Sequence, residues 1–447
     1  MRFNNNVPTT THNWWVAYRL GNRQELIKLC LTSFIQKDFY ENFEDKIDRI
    51  QNYCVTEDIN FIQNLSIWSR DYWLRTINHI LFVEWLLRLR WQKWSRELIN
   101  NWVLKLVKRP DELIDILWYF AYRDNQNLNS LKIPNLLREA IKYRLEKFSD
   151  YQLAKYKWNW DLNLYDLVNL VHAKSESIDK LMKWTLTPAD TWEVEISAKG
   201  NNKETWDRLI SENKLWALAT IRNLRNMSKV WVDFKEYLKK LDFTKVFPFQ
   251  SIQALDILDS EWFLDNEIYE IIIEKVKDSF KFISNSYSWK IAIWIDFSWS
   301  MFWTSVSKLS KMDRAKMAVY YWLLLWELFE DSDVYVWGSQ CIKINKHIAI
   351  NDLLSSQPQW GTVISKFTDE IKNKNYDYAI ILTDEQISDR CTNVVNKQTI
   401  IWNLSDYKNT ISDWNNVVAF SWYSDIMWKI WVDIMNLWKL EKEIGNN

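Results

Sequence analysis

An aspartate and two serines stand at alternate positions, Asp296-Phe297-Ser298-Trp299-Ser300, directly after the apolar run IAIWI. One carboxylate and two hydroxyls spaced this way on a loop can converge on a single hard cation. Mg2+ takes oxygen ligands in an octahedron and retains several waters. Two more oxygen donors occupy suitable contexts. Thr362 lies in QWGTVISKF just ahead of a helical pattern, and Asp384 ends the apolar stretch AIILTD. If the apolar runs are parallel strands, all three segments meet at the carboxyl edge of one sheet, where ligands bind in such folds. The expected cofactor is a divalent cation, Mg2+, held by Asp296, Ser298, Ser300, Thr362 and Asp384.

Other chemistries find little support. The four histidines, His12, His79, His172 and His347, have no Ser-His-Asp or His-Glu-x-x-His context. No Gly-x-x-x-x-Gly-Lys or strand-following Gly-x-Gly-x-x-Gly is present. An enzyme is not expected. Cys30, Cys54, Cys341 and Cys391 are far apart and show no Cys-x-x-Cys spacing, so reduced thiols are expected rather than a disulfide framework or a zinc knuckle. The opening MRFNNNVPTTTH is polar, and no apolar run reaches the roughly 18 residues that span a bilayer. The expectation is a cytoplasmic protein without a membrane partner.

The elements that would carry these residues change type along the chain. From about Arg23 to Lys281, segments such as PDELIDILWYFAYR, IPNLLREAIKYRLEKF and ETWDRLISENKLWALATIRNLRNM repeat apolar residues at helical spacing. Pro110 and Pro134 sit at plausible helix starts. No strand pattern is visible there, which suggests stacked helical repeats. After about Asn285, short β-branched runs alternate with helices: KIAIWID, DVYVWG, YDYAIILTD, TIIWNLS and NVVAFSW read as strands. That alternation implies a doubly wound, parallel α/β sheet. The predicted fold is therefore α plus α/β, with a helical domain over 1–285 and an α/β domain over 286–447.

Charge and composition add two observations. Residues 1–250 hold 38 Lys+Arg against 31 Asp+Glu, a balance of +7; the remaining 19 against 27 give −8. A basic front half is compatible with a polyanion partner. The chain also has 31 Trp and only 5 Gly, where about 7% glycine is usual. Several tryptophans stand where glycine belongs: Trp14-Trp15 after Asn13, Trp299 in DFSWSM, and Trp360 before Gly361. The expectation is that UGA codons decoded as glycine in the source organism are written here as Trp. Trp192, Trp206, Trp337 and Trp402, in strand- or helix-like contexts, read as true tryptophans.

Two resemblances follow from these motifs. Asp-x-Ser-x-Ser after a strand, then Thr362 and then Asp384, is similar to the metal-ion-dependent adhesion site of von Willebrand factor A domains. In that family an open metal position takes a partner's acidic group. The front half resembles the TROVE domain of Ro proteins. THNWWVAYRL, DYWLRTINHILFVE, KRPDELIDILWYFAYR, YQLAKYKWNWDLNLYDLVNLVHAK, TWEVEIS and KLWALATIRNLRNM follow that family's blocks in order. The resemblance implies a monomeric ring of HEAT-like helical repeats closed by the A-type domain. It further implies binding of small structured (Y-type) RNAs and of single-stranded ends of misfolded RNAs, with an exoribonuclease as a candidate partner. Lys155, Lys157, His172 and Lys174 match family positions associated with RNA, and Arg222 and Arg225, three apart on one helix face, join them. Two other readings stay open: a protein-interaction module whose metal grips an acidic partner, and a chelatase-type subunit that would need an ATPase partner.

Overall fold

The structure is a computed structural model. It describes the chain apart from residues 1–7, 11–15, 19–20, 33–42, 72–73, 90–94, 157–161, 188–190, 245, 247, 285–288, 303–311, 330, 337–339, 345–360, 385, 387–397, 405–416, 422–436 and 447. Strands β1 (Pro8–Thr10) and β2 (Val16–Tyr18) form an antiparallel pair. Helices follow: α1 (Asn22–Thr32), α2 (Phe43–Thr56), α3 (Ile59–Asp71), α4 (Arg75–Leu89), α5 (Arg96–Leu106), α6 (Asp111–Arg123), α7 (Asn135–Leu145) and α8 (Asp150–Lys155). Next come α9 (Leu164–Val171), α10 (Glu176–Met182), α11 (Trp192–Lys199), α12 (Lys203–Ser211), α13 (Ala217–Lys229), α14 (Lys235–Lys240), α15 (Pro248–Ser260) and α16 (Asn266–Ser284). The change to alternating elements falls between Ser284 and Ile291. There follow β3 (Ile291–Ile295), α17 (Trp299–Phe302), α18 (Arg314–Leu328), β4 (Ser332–Val336), β5 (Ile342–Ile344), α19 (Ile364–Ile371), β6 (Tyr378–Thr383), β7 (Gln398–Asn403), β8 (Val417–Ser421) and α20 (Leu437–Asn446). Helices followed by a mixed α/β sheet is the fold class expected from the sequence.

Compactness divides the chain elsewhere. One unit comprises Leu29–Ser33, Ile47–Gly200 and Glu441–Asn447; the other comprises Met1–Lys28, Phe34–Lys46 and Asn201–Leu440. In the first, α3 packs on α4, α5 on α7, and α8 on α10. Local sequence explains its helix starts. Ser149 and Asn163 form capping boxes with Gln152 and Asp166, each satisfying two orphan backbone donors. Its core is aliphatic and aromatic, with Leu81, Phe82, Leu117, Phe120, Leu137 and Ile141 buried.

In the second unit the sheet runs β5-β4-β3-β6-β7-β8. All five strands read from the sequence are parallel neighbours. The three-residue β5 is an antiparallel edge strand. It and the β1–β2 pair are corrections to the sequence reading, which found no strands there. Strand β3 is buried at every position, as parallel strands covered on both faces must be. Chain order runs from β3 outward to β4 on one side and through β6 to β8 on the other. The switch point therefore lies between β3 and β6, where Ile295 pairs with Leu382. Helices α16 and α18 pack together, and Lys316 on α18 bonds Asp256 on α15. Among the described residues no helix is long and apolar enough to cross a membrane.

The tryptophans split into two kinds. Trp206 is fully buried, and its indole N–H donates to Asn201 Oδ1 at 2.6 Å. Trp402 is also buried. Trp192 opens α11 behind its cap Thr191; Trp337 lies outside the described residues, as do Trp14, Trp15 and Trp360. Trp299 is helical and half exposed, so the positive φ suspected there is not found. Positive φ occurs instead at Trp184 (60°), Trp231 (57°) and Trp262 (65°). Each closes a helix in the same way. The N–H of Thr185, Val232 and Phe263 reaches back to the carbonyls of Lys180, Met227 and Leu258, and the tryptophan's own N–H reaches Leu181, Ser228 and Asp259. This is the Schellman motif, whose left-handed residue is usually glycine and sometimes asparagine. Asn125 and Asn213 fill the same position after α6 and α12.

Candidate cation site and nucleic-acid interface

The register between β3 and β6 places the residue after each strand at a common edge. Asp296 N–H donates to Leu382 O at 2.9 Å, which ties the end of β3 to the end of β6. Asp296 is fully buried. Its Oδ1 accepts from the Ser298 amide at 2.8 Å, an Asx-type turn that swings the chain toward α17. Its Oδ2 accepts from the Thr383 hydroxyl at 2.6 Å. Thr362, buried just before α19, donates more weakly, at 3.4 Å to Oδ2 and 3.5 Å to Oδ1. The preceding Gly361 has φ 74°, a conformation that needs glycine. The hydroxyls of Ser298 and Ser300 lie 3.1 Å apart. Asp384, also fully buried, accepts from the Gln386 amide at 3.2 Å and faces Arg314 Nη1 at 3.4 Å.

Thus Ser298 and Thr362 touch Asp296, Ser300 touches Ser298, and Asp384 follows the neighbouring strand end. Thr383 and Arg314 were not singled out in the sequence. A threonine beside an expected ligand and a cation 70 residues upstream leave no local signal. Electrostatics make the pocket demanding. Burial, and then the negative charge of Asp384, push the Asp296 carboxyl well above the usual carboxylate range; the hydrogen bonds from Thr383 and Ser298 pull the other way. Two buried carboxylates ringed by hydroxyls are the hard oxygen donor set that a small divalent cation prefers. Among the described residues no cluster of three or more His, Cys, Asp or Glu could hold a metal. Two carboxylates supply charge here, and hydroxyls and water would complete the shell.

The cationic residues read as RNA contacts fall in both units. Lys155 ends α8, half-buried, with its Nζ 5.7 Å from the Tyr156 ring; the Arg109 guanidinium lies 4.6 Å from that ring. Lys157 lies outside the described residues. His172 caps α9 in the left-handed conformation, exposed, and Lys174 is exposed two residues on. The Lys174 amide donates to Glu146 Oε1 at 2.9 Å. Helix α8 packs principally on α10, linked by Lys180 to Asp150 at 2.9 Å. Arg222 and Arg225 are exposed on α13 in the other unit. Arg225 Nε is bound to Glu261 Oε1 at 2.6 Å; among the described residues Arg222 has no ion-pair partner.

The fold and site define a class: a run of helices followed by a mixed α/β sheet with an oxygen-lined switch point. Residues 167–261 match the family model of the TROVE domain. The chain is 30% identical over 79 residues to telomerase protein component 1 of Mus musculus, and 32% over 79 residues to that of Rattus norvegicus, in each case 16% of this chain. It spans only 3% of the length of those curated relatives. The crystal structure of the Ro (RSR) protein of Deinococcus radiodurans superposes with a TM-score of 0.61 at 12% identity, covering 91% of this chain and 99% of that one. Residues 167–261 are thus similar to a TROVE domain, and the chain has the fold of that Ro protein.

Proposed function

We propose that this chain binds small structured, Y-type RNA and the single-stranded ends of misfolded RNA through its helical elements, as a binding rather than a catalytic protein. The observation that carries the reading is the coincidence of the TROVE match, residues 167–261, with exposed His172, Lys174 and Arg222. Cations at the ends and faces of helices position a phosphate backbone, and an exposed imidazole can meet a splayed base. We further propose that the edge between β3 and β6 holds Mg2+. Asp296, Asp384, Ser298, Ser300 and Thr362 would serve it directly or through water, with a remaining position for a partner's carboxylate. The ion would supply positive charge at a site that otherwise buries two carboxylates.

Fluorescence anisotropy with a stem-loop RNA bearing a single-stranded 3′ tail tests the first proposal. Affinity should fall log-linearly with salt, and Lys174→Ala with Arg222→Ala should weaken binding and make that slope shallower by about 1–2. Binding that ignores salt, or is unchanged in the double variant with its helices intact, would overturn it. For the second, Mn2+ titration followed by electron paramagnetic resonance should show one site that Asp296→Ala removes.

A further inference from the structure

The two carboxylates at the sheet edge do not face each other alone. Arg314 is the first residue of α18, and its backbone is fixed by Asp313, whose side chain accepts from Lys316 N–H at 2.7 Å. From there its guanidinium reaches inward, nearly as buried as the carboxylates, and sets Nη1 3.4 Å from Asp384 Oδ2. The second Asp384 oxygen is held by the Gln386 amide at 3.2 Å. Asp296, by contrast, is held among the described residues by neutral donors: the Thr383 hydroxyl, the Ser298 amide and the Thr362 hydroxyl. Among the described residues the pocket therefore gathers two carboxylates and one guanidinium.

We propose that Arg314 is a resident counter-ion of this site, which neutralises Asp384 in the cation-free protein and competes with a bound cation for the same carboxylate. The inference rests on the reading of the edge as a cation site. A buried carboxylate without a partner is strongly unfavourable, and truncating one member of a buried pair exposes that penalty. The guanidinium lets the sheet edge form before any metal arrives. Once a cation is present, the same charge a few ångströms away repels it. At an effective dielectric of about 40, between the protein and bulk-water values, and a separation of about 6 Å, the repulsion between the single and the double charge corresponds to roughly 100-fold in affinity. Arg314 is thus a positioning residue. It keeps Asp384 turned toward α18, so that this carboxylate would serve the ion through water while Asp296 takes the closer place.

The test uses the full chain stripped of metal with EDTA. Mn2+ affinity is measured by electron paramagnetic resonance, and unfolding temperature with and without Mg2+ by circular dichroism. In Arg314→Gln, Mn2+ should bind roughly 10- to 100-fold tighter than in the parent. The metal-free variant should melt lower than the parent and regain the difference in Mg2+. Arg314→Lys should keep the parent's affinity within a few-fold. The double variant Arg314→Gln with Asp384→Asn removes both charges and should melt near the parent without metal. Equal or weaker Mn2+ binding in Arg314→Gln, with parent binding intact, overturns the role of Arg314 alone. So does a double variant that melts as low as the single one, because Arg314 would then act through packing. A parent that binds no Mn2+ overturns the cation-site reading itself.

Discussion

Replacing Trp262 by glycine should stabilise the protein. Trp262, Trp231 and Trp184 hold φ values of 65°, 57° and 60° at the left-handed ends of α15, α13 and α10. A side chain in that conformation costs about 1–2 kcal/mol, which glycine avoids. Glycine also adds about 0.4–1 kcal/mol of unfolded-chain entropy, which offsets part of the gain. The balance then depends on what each ring contributes. Trp262 is 94% exposed and Trp231 81%, so their rings bury almost nothing. Trp184 is 61% exposed and stacks on Tyr165 at 4.7 Å, a contact worth about 0.5–1.5 kcal/mol. The expected gains are about 1 kcal/mol at Trp262, nearly as much at Trp231, and close to zero at Trp184. Urea unfolding midpoints measure them, with the alanine series as the control. Alanine removes the ring but keeps the Cβ, so Trp262→Ala should gain much less than Trp262→Gly. Equal gains for alanine and glycine, or a loss on Trp262→Gly, would refute the strain argument. Peptide mass spectrometry of the native protein should read glycine at 184, 231, 262 and 299; tryptophan at 299 would end the UGA reading.

Further expectations concern titration and the site. His79 is fully buried; burial first, then Arg75, Arg70 and Arg109, push its pKa down to about 3. Because the folded value lies below the unfolded one, its contribution is complete above pH 6.5 and is lost as pH falls toward 3, by about 1.4 kcal/mol per pH unit. Urea midpoints of His79→Gln should lack that one-proton slope relative to the parent; identical slopes would contradict the assignment. Asp296 has the opposite sign, its folded pKa being raised above the ordinary 3.8. The metal-free protein should therefore lose stability as pH climbs through the range above that value, and Asp296→Asn should flatten the loss. Thr383→Val removes the 2.6 Å bond to a buried carboxylate and should cost about 1.5–3 kcal/mol in thermal or urea unfolding.

The parallel strands were legible because a strand covered on both faces must be apolar throughout. IAIWI and AIILT could hardly be anything else once turn-forming residues bounded them. The edge strand IKI, three residues long and partly exposed, carries no such mark. Asp296, Ser298 and Ser300 were legible as a local spacing. Thr383 was not, because its hydroxyl meets Asp296 only through the pairing of Ile295 with Leu382, across 87 residues of chain. Arg314 was hidden for the same reason. For tryptophan, composition revealed the anomaly and turn-forming neighbours suggested Trp299. The backbone instead singles out helix ends, where a lone tryptophan after LMK, MSKV or DSE reads as an ordinary amphipathic continuation.

One hydrogen bond bears on how the chain can be made. The side-chain amide of Asn64 donates to the carbonyl of Ile444 at 2.9 Å, and residues 441–447 belong to the same compact unit as residues 47–200. Ile444 is buried there. During synthesis, residues 47–200 emerge well before residues 441–447 and lack that segment until it too has been translated. At about 5–20 residues per second that interval is some tens of seconds. For this time an apolar patch stays open on a nascent unit whose other helices are already complete. The same patch would be exposed permanently in a fragment cut after residue 285, which makes such a fragment prone to aggregate.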